Sequence, residues 1–104
     1  MDFQQINARA ISIRELYEEF EKGEFGRTWT SEQIALGFVG DVGDLAKLIL
    51  AENGHRKISD SKMKLEHELA DCLWSLLVLA KIHTIDLENA FIKTMNDLER
   101  KLSI

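Results

Sequence analysis

The sequence predicts an all-α fold, a four-helix protomer forming one domain over residues 1–104. Apolar residues recur at three- and four-residue spacing along most of the chain, the period of an amphipathic helix, and no segment shows the strict alternation of a half-buried strand. Residues that cap or break helices lie between the periodic runs: Gly23 to Gly26, Asn53-Gly54 and Ser59 to Ser61. There is no proline, low-complexity tract or linker-like stretch, so the chain reads as continuous.

The first helix is marked by Phe3, Ile6, Ala10, Ile13, Tyr17 and Phe20 and is expected to end at Gly23 and Gly26. Thr30 and Gln33 have the spacing of a reciprocal capping box, and Trp29 and Ile34 that of the accompanying hydrophobic staple. A second helix should therefore run from about Ser31 to Glu52, where Asn53-Gly54 stops it. Inside it lie Gly37, Gly40 and Gly43. Each interior glycine costs about 1 kcal/mol relative to alanine, so the series implies close approach of another helix or a ligand. His55-Arg56-Lys57 forms a basic connector. The third helix should begin with a cap at Ser59, Asp60 or Ser61 and continue to about His83. It is apolar on nearly all sides beyond Asp71, a pattern that has to be covered all round. An interface with further copies of the chain is expected along it. Asp86 then caps a fourth helix with Leu87, Phe91, Met95, Leu98 and Leu102 on one face.

Composition narrows the functional classes. A net charge of −5 and a pI near 5.1 argue against a nucleic acid polymer as partner, because that affinity rests on clustered Lys and Arg. The longest apolar run is broken by Asp71, Ser75 and Lys81 and is shorter than the roughly 20 residues of a membrane span. The single Cys72 sits in that run as a small buried hydrophobe suited to a reducing compartment. With no signal-like N-terminal segment, the expected location is cytoplasmic.

Two acid pairs stand out. Asp41 and Asp44 are three apart on the second helix, and Glu68 and Asp71 three apart on the third, so each pair shares a helix face. Both are embedded in apolar sequence. If the two helices pack antiparallel, four carboxylates converge, and their repulsion demands a positive charge between them. An all-oxygen donor set of this kind suits Mg²⁺ or Mn²⁺. Di-iron bundles instead pair Glu with a His three residues on, which is missing here. The plain alternative is that the acids are ordinary exposed side chains.

The pattern Asp41-Val42-Gly43-Asp44 followed by Glu68-Leu69-Ala70-Asp71 resembles the Glu-x-x-Glu, spacer, Glu-x-x-Asp signature of the MazG-like all-α nucleoside triphosphate pyrophosphohydrolases, the group that includes the dCTP pyrophosphatases. The likeness extends from Arg27-Thr28-Trp29 through His67 to Trp74 and on to Ile85 to Phe91. It departs from the signature where two Asp replace two Glu, each shorter by one methylene. The resemblance implies Mg²⁺-dependent hydrolysis of a nucleoside triphosphate to the monophosphate and pyrophosphate, a role in cleansing nucleotide pools, and a homo-dimer or homo-tetramer. It assigns metal binding and catalysis to Asp41, Asp44, Glu68 and Asp71. Lys47 either reaches a phosphate or pairs with Asp44. Lys93 and Arg100, seven apart on the fourth helix, either meet the substrate or lie on a solvated face. Trp29 either stacks on a base or serves only as the staple. The competing functional reading is a related helical module that binds nucleotide or a protein partner, its catalysis weakened by the two Asp.

Overall fold

Four helices, α1 (Phe3–Phe25), α2 (Ser31–Glu52), α3 (Ser61–Ile82) and α4 (Leu87–Leu102), carry the fold of the computed structural model, which describes residues 1–103. No strand occurs among the described residues. Among the described residues no helix is long and apolar enough to cross a membrane.

Local chemistry accounts for most helix ends. Asp2 and Gln5 form a capping box at the start of α1, and Thr30 and Gln33 form the expected one at the start of α2. The first helix runs past Gly23 and stops at Gly26. Gly26 adopts φ 74°, and its N–H donates to the Lys22 carbonyl. Gly23 is thus a tolerated interior glycine, and the left-handed turn that ends the helix falls three residues later. After α2 the chain turns through Gly54 at φ 79°, with the His55 N–H bonded to the Leu50 carbonyl and the Gly54 N–H to that of Ala51. This pair of bonds satisfies carbonyls that a helix end leaves free.

The start of α3 differs from the capping expected. Asp60 occupies the cap position at φ 54° without a side-chain cap bond, and Ser61 Oγ instead donates to Glu52 Oε1 at 2.8 Å. That bond joins the facing ends of α2 and α3. Asp86 caps α4 as expected, accepting the Asn89 N–H at 3.1 Å.

The antiparallel α2–α3 pair is the principal packed unit, and α1 lies more lightly on α3. Leu77 and Val78 of α3, each 2 % exposed, form the deepest core with Ala10, Leu48 and Cys72. Trp74 Nε1 donates to the Ala10 carbonyl at 3.0 Å, and the Trp74 ring stands 5.5 Å from that of Tyr17, so one indole ties α1 to α3. By contrast, α4 has no buried residue and no extended face against another helix. The radius of gyration is 16.6 Å, against about 13 Å for a compact chain of this length. Leu69, Leu73 and Leu76 of α3 and Phe91, Met95 and Leu98 of α4 are exposed. Nor does the chain itself use its glycine series: a Cβ added at Gly37, Gly40 or Gly43 would meet nothing within 4 Å. The close approach expected there is not made by any helix of the same chain.

Thr84, after α3, holds φ 56°, a left-handed conformation unfavourable for a β-branched residue. Its N–H bonds to the Lys81 carbonyl, and the Ile85 N–H to that of Ala80. Thr84→Gly should relieve the strain and stabilise the chain by about 1 kcal/mol, roughly 5 °C in Tm. Thermal unfolding with circular dichroism checks this, and an unchanged or lower Tm would contradict it.

Candidate metal centre

The α2–α3 pairing brings acids from both helices to one point. One carboxylate oxygen each from Asp41, Asp44 and Glu68 can be chosen so that all lie within 4.8 Å of one another. Asp41 and Glu68 are half-buried and Asp44 is exposed. Helical geometry explains the convergence: residues three apart share a face, and these faces meet across the helix pair.

The fourth acid is held aside. Asp71 Oδ2 accepts from His67 Nε2 at 3.0 Å, one turn earlier on α3. His67 therefore engages the acids through Asp71, although its sequence position next to Glu68 points it away from that neighbour.

Glu68 bears the cost of the arrangement. Its Oε2 is buried and has no hydrogen-bond partner. Burial raises its pKa above the ordinary glutamate value, the Asp41, Asp71 and Asp44 carboxylates add to the shift, and His67 opposes it. An unpartnered buried acceptor amid like charges is what a cation would satisfy. Burial also raises the Cys72 thiol, helped by Asp41, Glu68 and Asp71. The thiol is buried and inert, in keeping with a packing role.

Two clefts flank the acids. One, about 450 Å³, is lined by Tyr17, Phe20, Trp29, Phe38 and Trp74, with Asp41 at its edge. The other, about 520 Å³, has an apolar floor of Leu48, Ile58 and Met63, with Asp44, Glu68, Lys47, Lys64 and His67 around it. The cluster thus lies between an aromatic cleft and a largely apolar one that two lysines border. Trp29 and Ile34 both line the aromatic cleft, so the staple position also places Trp29 in the cleft that Asp41 borders. Lys47 opens onto the second cleft and makes no ion pair with Asp44 among the described residues. Lys93 and Arg100 are exposed on α4 and line neither cleft, and Arg100 is paired with Asp97. Within one chain they are not brought to the acids.

Lys64 and the aromatic residues Phe38 and Trp74 are additions to the residues the sequence singled out. Their signals were available: Phe38 is three before Asp41, Trp74 three after Asp71, and Lys64 four before Glu68. Each therefore shares a helix face with an acid.

The raised pKa of Glu68 has a definite sign. The folded chain holds that proton more tightly than the unfolded one, so the contribution of Glu68 to stability falls as pH rises from the ordinary glutamate range through the raised value. In the presence of a chelator, Glu68→Gln should melt above the parent at pH 7, and the gap should close towards pH 4. Melting curves across that range check it; a gap independent of pH would contradict it.

A model of the MazG nucleotide pyrophosphohydrolase domain matches residues 29–102. The match spans all of α2, α3 and α4 and both acid pairs. No match is found among curated proteins or among solved structures. With well over half of its length covered by that domain, four helices, and acids of both motif halves meeting between α2 and α3, the chain belongs to the MazG nucleotide pyrophosphohydrolase family.

Proposed function

We propose that this chain hydrolyses a nucleoside triphosphate to the monophosphate and pyrophosphate, using Mg²⁺ or Mn²⁺, and so removes unwanted nucleotides from the cytoplasmic pool. The observation that carries this reading is the three-carboxylate cluster with its buried, unpartnered Glu68 oxygen, set between an aromatic cleft and one bordered by Lys47 and Lys64. The donor set is all oxygen and net negative, which fits a hard divalent ion. Asp41, Asp44 and Glu68 would hold it, and Asp71 would add a fourth carboxylate on giving up its bond to His67. When bound, such an ion neutralises phosphate charge and acidifies a water molecule.

The chain's own groups supply the rest. The aromatic cleft, with Trp29 at its wall, takes the base, while Lys47, Lys64 and His67 offset the charge of the departing pyrophosphate. Water attacks the α-phosphorus, the bond to the bridging oxygen breaks, and that oxygen leaves with the electron pair. A cluster carboxylate accepts the proton of the water. Lys93 and Arg100 contribute only through a second copy whose α4 lies near these clefts. The shorter Asp41 and Asp44 favour a second reading, a nucleotide-binding module without turnover. Calorimetry separates the two, because the module binds nucleotide and yields no product.

Assembly is part of the proposal. The exposed faces of α3 and α4 are apolar, and a homo-dimer or homo-tetramer would cover them.

Pyrophosphate release from a panel of standard and modified nucleotides with Mg²⁺ tests the activity. Asp41→Asn should lower the rate by more than about 100-fold, since losing a ligand exceeds the loss caused by removing an outer partner. Full turnover in that variant, or no product from any nucleotide above a chelated control, contradicts the reading. Leu73→Glu should shift the sedimenting species towards monomer, whereas an unchanged sedimentation coefficient would remove α3 from the interface.

A further inference from the structure

A buried ion pair outside the acid cluster terminates on a residue that walls the aromatic cleft. Arg14 donates through Nη1 to Glu21 Oε2 at 3.0 Å and through Nη2 to the Trp29 carbonyl at 3.1 Å, while Glu21 Oε1 accepts the Trp29 N–H at 2.8 Å. The two side chains are only 9 % and 8 % exposed. Both backbone polar groups of one residue in the α1–α2 connection are thereby fixed by a single pair. Glu21 itself lines the cleft, along with Tyr17 and Phe38. The Trp29 side chain remains 48 % exposed, so little packing holds it on its outer side.

A buried ion pair is an inefficient source of stability, because desolvation offsets most of the attraction. Its bonds are directional, however, and an arginine fork bonded to a carboxylate and a carbonyl fixes a loop in one geometry. Connecting segments are otherwise the mobile part of a fold. Arg14 and Glu21 lie before the region matched by the family domain, in the helix that supplies Tyr17 and Phe20 to the cleft.

We propose that Arg14 and Glu21 are positioning residues that clamp the Trp29 backbone, so that its indole stands as a preorganised wall for the nucleoside part of the substrate. Base affinity then depends on the clamp, while the phosphates and the acids do not. This rests on the nucleotide reading above.

The test is the double variant Arg14→Met/Glu21→Leu, since replacing both members of a buried pair by apolar groups usually preserves the fold. Its Tm should stay within a few degrees of the parent. The KM for a nucleoside triphosphate should rise about ten-fold, within the range for loss of one stacked base. The kcat should change less than two-fold, and inhibition by inorganic tripolyphosphate, which has no base, should be unchanged. In a Trp74→Phe background, Trp29 fluorescence should become more accessible to acrylamide. An unchanged KM overturns the proposal, as does a fall in kcat alone or an equal loss for tripolyphosphate. If the double variant does not fold, Arg14→Lys keeps the charge but loses the fork, and a KM equal to that of the parent overturns the proposal there too. Absence of nucleotide binding by the parent sinks the nucleotide reading and the recognition role with it. Unchanged Trp29 quenching sinks the clamp even where nucleotides bind.

Discussion

The packing of α2 on α3 places like charges where they repel, and the architecture around the site follows from that conflict. Two unit charges about 4 Å apart near a protein surface repel by up to about 4 kcal/mol, less where Asp44 reaches solvent. Glu68 cannot escape in the same way, because one of its oxygens is buried without a donor. The same helix pair that holds Leu48, Cys72, Leu77 and Val78 in the core carries the acids. Stability and site therefore share one interface. Asp44 can relax into solvent, but the buried end of Glu68 is held where the helices pack. His67 removes part of the load by bonding Asp71.

The surroundings extend this logic outward. On the Asp41 side, α1 brings Tyr17 and Phe20 towards Trp29, Phe38 and Trp74; on the Glu68 side, Lys47, Lys64 and His67 gather. The acids therefore have an aromatic cleft on one flank and, on the other, a largely apolar cleft bordered by two lysines. In the proposed reading, the base would lie against the aromatic flank and the phosphates towards Lys47 and Lys64. The proposed assembly would act on the thin core: α4 buries nothing of its own, and α3 leaves leucines uncovered. A chain of this size gains much of its stability by covering such faces.

The sequence made much of this legible because the deciding signals are local. Periodicity and caps place four helices, and the Thr30–Gln33 box and the Asp86 cap form as their spacing requires. Spacing of three also puts Asp41, Asp44 and Glu68 on facing surfaces. Non-local choices were hidden. Even two local choices were ambiguous, since Gly23 and Gly26 could each end α1 and Asp71 could face either His67 one turn back or the acids of α2. Lys93 and Arg100 depend on where α4 packs, which no local pattern encodes. Arg14 and Glu21, seven apart on α1, look like surface charges until the connection folds back and Trp29 bonds to both.

The central claim is that acids from α2 and α3 share one divalent ion. Titration with Mn²⁺ followed by electron paramagnetic resonance reads this directly, because bound Mn²⁺ loses the sharp signal of the free ion. The account predicts saturable binding that Mg²⁺ displaces and that Glu68→Gln or Asp41→Asn greatly weakens. A free-ion signal that persists at every protein concentration, or binding unchanged in both variants, would contradict it.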